Sequence, residues 1–98
     1  MDKDTVIEIL RRHRSELEGL GVRHAALFGS VARGEAGPHS DIDIAIDLDM
    51  SRQPTVYDYV GMQQFITELF DGPVDVVDRE ALKPRVRERV TVDLINAF

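Results

Sequence analysis

The sequence predicts a small α/β (α+β) domain: a three-stranded mixed sheet flanked by helices, in the order α-β-(turn)-β-α-β-α. Three observations predict it. Val6, Ile9, Leu10, His13 and Leu17 recur at helical spacing, as one buried stripe requires. Ile42, Ile44 and Ile46 alternate with polar residues, the period of a half-buried strand. A second β-branched run, Val74 to Asp78, is separated from a long apolar-periodic segment by the turn signal Asp71-Gly72-Pro73.

Each element has its own local reason. Thr5-Val6-Ile7-Glu8 fits a capping box, with Thr5 as N-cap, and Gly19 and Gly21 stop this first helix. Val22 to Phe28 reads as the first strand. Ser30 to Arg33 forms one short helical turn closed by Gly34, and a loop with a Gly37-Pro38 turn signal follows. Asp41 to Leu48 is the second strand, antiparallel to the first because the connection is short. Thr55 starts a helix that runs to about Phe70, with Val56, Tyr59, Val60, Phe65, Ile66, Leu69 and Phe70 on its apolar side. The third strand, Val74 to Asp78, follows that helix and can be parallel to the second. Pro84 suits the first turn of a final helix, whose buried stripe is Val86, Val90, Leu94 and Ala97.

Composition narrows the function classes. The chain of 98 residues has no cysteine, which excludes disulfide staples and thiolate metal sites. The N-terminus, Met1-Asp2-Lys3-Asp4, lacks the features of a signal peptide, and no apolar run is long enough to span a bilayer, so a cytoplasmic protein is expected. A net charge of −6 argues against extensive nucleic-acid binding, which depends on neutralising phosphates. A nucleotide ligand is compatible with that charge once divalent cations reverse the local sign.

The candidate chemistry lies at Gly29-Ser30 and Ser40-Asp41-Ile42-Asp43. Taken alone, Gly29 reads as a strand-to-turn glycine needing positive φ; in a phosphate site, its missing Cβ lets a phosphate approach the backbone. Ser30 can donate to a phosphate oxygen or cap the short helix. Asp41 and Asp43 share a strand face, roughly 6–7 Å apart. Strands disfavour aspartate, and two such carboxylates on a partly buried face are costly without a counter-charge. Asp75 lies in the β-branched run Val74-Asp75-Val76-Val77-Asp78 and can stand beside them if the second and third strands are neighbours. Three carboxylates can hold two Mg²⁺ ions roughly 4 Å apart. Asp78 points to the other face and reads as a cap; Asp47 and Asp49 read as solvated acids. Arg33 reads equally as a phosphate contact and as a surface arginine. His13 reads as a helix-face residue and His39 as lining the loop near the site; no histidine shows ligand spacing.

Together, Gly29-Ser30, Ala32-Arg33-Gly34, Ser40-Asp41-Ile42-Asp43 and Val74-Asp75-Val76-Val77 resemble the minimal nucleotidyltransferases of the DNA polymerase β-like superfamily. The match is closest to the MNT group, the antitoxin half of HEPN–MNT toxin–antitoxin pairs. The resemblance covers nearly the whole chain and implies a single minimal nucleotidyltransferase domain over residues 1–98. It implies Mg²⁺-dependent transfer of AMP from ATP to a hydroxyl, in such pairs a tyrosine of the HEPN ribonuclease toxin. Gly29 and Ser30 would hold the triphosphate, with Arg33 nearby. Asp41 and Asp43 would bind both metals, and Asp75 would complete the second site and help deprotonate the acceptor. Nothing after the final helix remains to cover the nucleotide, so an open site closed by a homodimer or a hetero-oligomer with the toxin is expected.

Two alternatives stay open on the residues alone. The chain can be a non-catalytic antitoxin that occludes its toxin, although pure occlusion has no need for three aspartates. It can instead modify an RNA end or a small-molecule hydroxyl. The acidic balance weighs against RNA, with Arg85, Arg87 and Arg89 as the local exception.

Overall fold

The computed structural model describes residues 1–37 and 40–98. Pro38 and His39 fall outside it, and with them the Gly37-Pro38 turn signal and the placement of His39 near the site.

Helix α1 (Lys3–Arg12) starts earlier than the capping-box pattern indicates. Asp2, not Thr5, is the N-cap: its carboxylate accepts a hydrogen bond from the Thr5 N–H at 2.8 Å. Glu8 is therefore free to pair with Arg12 one turn on, at 2.7 Å. The helix also does not continue to Gly19. It breaks at His13, whose N–H is shared between the Ile9 and Leu10 carbonyls, and α2 (Arg14–Leu20) follows. The His13 ring meets Phe65 edge-on at 6.1 Å, which places it on a helix-packing face as expected. Gly21 closes α2 in the left-handed conformation, φ 103°.

Strand β1 (Val22–Phe28) leads into the short helix α3 (Gly29–Arg33), capped by Gly34 at φ 74°. Strand β2 (Ile42–Leu48) pairs antiparallel with β1. Thr55 and Asp58 form a complete capping box at the start of α4 (Val56–Glu68). Strand β3 (Val74–Asp78) runs parallel to β2, and α5 (Pro84–Asp93) begins with Pro84 at its first position.

The sheet has four strands, not three. The final helix stops at Asp93, and β4 (Ile95–Asn96) pairs antiparallel with Ala26 and Leu27, giving the order β3-β2-β1-β4. A two-residue strand carries no periodicity, and the flanking Leu94 and Ala97 read as a continuation of the helical stripe. Ala97 is buried as expected, beside β1 rather than on a helix: its N–H donates to the Ala25 carbonyl at 2.9 Å.

Ile42, Ile44 and Ile46 are buried on one sheet face, with Val6, Leu10, Leu17, Leu27, Met62 and Ile66 in the same core. Burying each isoleucine is worth about 1.5–3 kcal/mol. A one-residue slip would invert the strand and lose all three, so the pattern fixes which way the aspartates between them point. In α4 and just beyond it, Ile66 and Phe70 are buried and Tyr59, Phe65 and Leu69 pack on the core as expected, but Val56 is 76% and Val60 44% exposed, while Met62, absent from the expected stripe, is fully buried. In α5, Val90 is buried, and Val86 is 43% exposed. No helix among the described residues is long and apolar enough to cross a membrane.

Candidate active site

Strand pairing brings the expected acids together. Phe28 of β1 lies opposite Asp43 of β2, and Asp43 lies opposite Asp75 of β3. Residues in register across a sheet share a face, so Asp43 and Asp75 project to the same side. Asp41, two residues before Asp43, sits just outside the strand and is exposed, as is Asp75. Asp43 is half-buried.

Gly29 follows Phe28 directly, so it stands at the end of β1 over Asp43. Its φ is 77°, and a Cβ built there would collide with the Asp43 carboxylate. Both facts require glycine. Ser30 does not take the capping role open to it: the N-cap of α3 is Phe28, and no side chain caps the helix. The first N–H groups of α3 therefore have no side-chain cap, and they lie beside the Asp43 carboxylate.

The electrostatics mark Asp43 as the strained member. Burial raises its carboxyl pKa above the ordinary carboxylate value, and the charges of Asp75 and then Asp41 add to the rise; Arg33 opposes it. Among the described residues no three acidic or imidazole groups converge tightly enough to enclose one ion. Mg²⁺ does not require such a cage, because it commonly takes one or two carboxylates and fills its shell with water and substrate phosphates. Hard carboxylate oxygens, mutual repulsion and an adjacent backbone turn open to phosphate suit that mode of binding.

Arg33 is bonded to two carboxylates outside the aspartate cluster. Its Nε donates to Glu35 at 2.9 Å and its Nη1 to Asp93 at 2.7 Å. Asp78 caps the 3₁₀ turn Arg79–Ala81 through the Glu80 N–H, as expected of a cap. Asp49 caps the turn Met50–Arg52 and accepts from the Ser51 hydroxyl at 2.6 Å. Asp47 is not a solvated acid. Its Oδ1 is buried without a hydrogen-bond partner, and its Oδ2 lies 3.9 Å from Arg79. The turn after β3 packs on β2 and covers it, a long-range contact that strand periodicity does not carry.

Asp41 and Asp75 are exposed at the protein surface. One cavity of about 400 Å³ lies between Met1–Asp4 and Val31, Gly34 and Ala36, and another of about 430 Å³ lies beside His24 and Asp47. Neither is lined by the three site aspartates.

A mixed sheet with acids from two adjacent strands under a glycine-serine turn defines the nucleotidyl-transferring class. The chain belongs to the nucleotidyltransferase domain family, which matches residues 6–95. It is 31% identical over 93 residues to the protein adenylyltransferase MntA of Thermococcus cleftensis, covering 94% of this chain and 92% of that protein. It superposes with a TM-score of 0.70 on a solved structure provisionally described as a minimal nucleotidyltransferase, at 32% identity, covering 97% of this chain and 95% of that one. It also shares its fold, at TM-score 0.64 and 18% identity, with a complex of a tri-AMPylated Shewanella oneidensis HEPN toxin and its MNT antitoxin, covering 94% of this chain and 71% of the matched chain.

Proposed function

We propose that the chain transfers AMP from ATP, with Mg²⁺, to a tyrosine hydroxyl of a HEPN-type toxin, and so acts in the cytoplasm as the antitoxin of a pair. The observation that carries this reading is the register Phe28–Asp43–Asp75, which sets two carboxylates on one face at the foot of the Gly29 turn. The protein adenylyltransferase name of the Thermococcus relative and the AMPylated toxin in the Shewanella complex support it.

In this mechanism the turn at Gly29 and Ser30 holds the triphosphate, its close approach made possible by the missing Cβ. Asp41, Asp43 and Asp75 are the residues that would hold the metal ions. The bound ions would neutralise phosphate charge and favour departure of pyrophosphate. The acceptor oxygen attacks the α-phosphorus, a new P–O bond forms, and the bond to the β-phosphate oxygen breaks. Asp75, the more exposed of the paired acids, takes the acceptor's proton in this reading. The open face leaves room for a protein acceptor.

The test is transfer of label from α-labelled ATP to the HEPN-type partner, with wild type and with Asp41→Asn/Asp43→Asn. Label on the partner only with the wild type supports the reading. Neutralisation of the partner without label, equal in both, favours occlusion.

A further inference from the structure

We propose that Asp93 is a positioning residue for the nucleotide turn and that it acts through Arg33. The proposal rests on the functional reading above, in which Gly29 and Ser30 hold the triphosphate.

Those two residues open α3, a helix of five residues. So short a helix cannot hold its own orientation, because its few internal hydrogen bonds barely offset nucleation. Its anchors must be tertiary. Val31 and Ala32 are buried and fix its inner side. Its far end is closed by Gly34 and by the Glu35 N–H donating to the Ser30 carbonyl at 2.9 Å. The remaining anchor is Arg33. Its guanidinium spans Glu35 and Asp93, and the Asp93 bond, at 2.7 Å, joins residues sixty apart in sequence.

Asp93 is well chosen for this. It is the last residue of α5, and its side chain is only 22% exposed, against 43% for Arg33. Two residues on, β4 pairs with Ala26 and Leu27, immediately before the Gly29 turn. The end of α5 is thus tied to both sides of that turn, to β1 by the sheet and to α3 by the ion pair. An arginine fork suits the task, since its planar donors can engage two carboxylates from fixed directions. Two of the guanidinium's five N–H donors are committed, one to Glu35 beside α3 and one to Asp93 at the end of α5. Arg33 therefore acts by holding α3 over Asp43, and its partner Asp93 is required for the same effect.

The experiment is calorimetric titration with a non-hydrolysable ATP analogue and Mg²⁺, accompanied by thermal melts. It compares wild type with Asp93→Asn, Arg33→Gln, the double variant and Asp93→Glu. The proposal expects each single neutral variant to weaken nucleotide binding about five- to tenfold, and the double to do no worse than one single, as coupled residues require. Asp93→Glu, which keeps the carboxylate, should recover affinity to within about twofold, because an ion pair survives one added methylene better than loss of its charge. Unchanged affinity in Asp93→Asn beside a large loss in Arg33→Gln would overturn it, since Arg33 would then touch the phosphates directly. A lower melting temperature with unmoved affinity would also overturn it, reducing the pair to a structural brace. Absence of binding by the wild type would defeat the functional reading and this proposal together; binding that Asp93→Asn leaves intact would defeat this proposal alone.

Discussion

Gly29 lies so close over the carboxylate of Asp43 that no other residue fits between them. The two meet because Phe28 and Asp43 are cross-strand partners, which delivers the end of β1 onto the acidic face of β2. Gly29→Ala therefore faces both a collision and a positive φ. It should destabilise the fold by about 1–3 kcal/mol, the range for strain at a special backbone position. Nucleotide binding should fall more than stability does, because the turn moves off Asp43. Thermal melts alongside nucleotide titration read the two effects separately.

Asp43 sets up an exchange of stability for function. Its carboxyl pKa is raised above 3.8, so the folded state binds this proton more tightly than the unfolded chain. Stability is then lost as pH rises from 3.8 through the folded value, and the whole penalty is present at neutral pH. Asp43→Asn should raise the melting temperature at pH 7 without metal, and the gain should vanish below pH 3.8. Because solvent screens a half-buried carboxylate, the gain should not exceed the roughly 4–8 °C that about 1 kcal/mol gives a domain of this size. Transfer activity should drop by at least about a hundredfold, as expected when charge stabilisation at the reacting centre is removed.

The helix caps respond to acid in the opposite sense. Asp2 and Asp58 have lowered pKa values, caused first by the backbone N–H groups of Thr5 and Thr55. Their contribution is present above the unfolded value of 3.8 and is lost as pH falls through the folded values. Asp2→Ala should lower stability at pH 7, because the Thr5 N–H loses its capping partner. Thr5→Ala should cost less, since Thr5 supplies only its N–H to the cap. Chemical denaturation of the two variants distinguishes the observed cap from the expected one.

Much of this was legible in the sequence, for reasons that can be named. The alternation of Ile42, Ile44 and Ile46 determines β2 and its acidic face, because burial of the isoleucines dominates the local energetics. Gly29 stands where a strand ends, and the β-branched run around Asp75 marks a neighbouring strand. What stayed hidden depends on contacts between distant segments. Asp2 and Thr5 both suit an N-cap, and only the helix start decides between them. The two residues of β4 gain their conformation from pairing with β1. Asp47 is buried by a turn that arrives thirty residues later, and nothing near Arg33 announces Asp93. At the start of α4, Val56 and Val60 are apolar yet exposed, while Met62 fills the core, so residue type alone does not mark which of them face inward.

Ile44 tests the packing beneath the site. It is fully buried between the flanking strands, on the face opposite Asp43. Ile44→Ala should cost about 2–5 kcal/mol through lost burial and a residual cavity. Urea denaturation should show a lower midpoint with an unchanged slope.

In the proposed function, Asp41, Asp43 and Asp75 form a divalent-ion site completed by nucleotide phosphates. The most direct measurement is Mn²⁺ binding followed by electron paramagnetic resonance, with and without a non-hydrolysable ATP analogue, in wild type and Asp43→Asn. The expected result is weak uptake by the wild type alone, strong uptake when the analogue is present, and loss of that enhancement in the variant. Equal uptake by the two proteins in the presence of the analogue would contradict it.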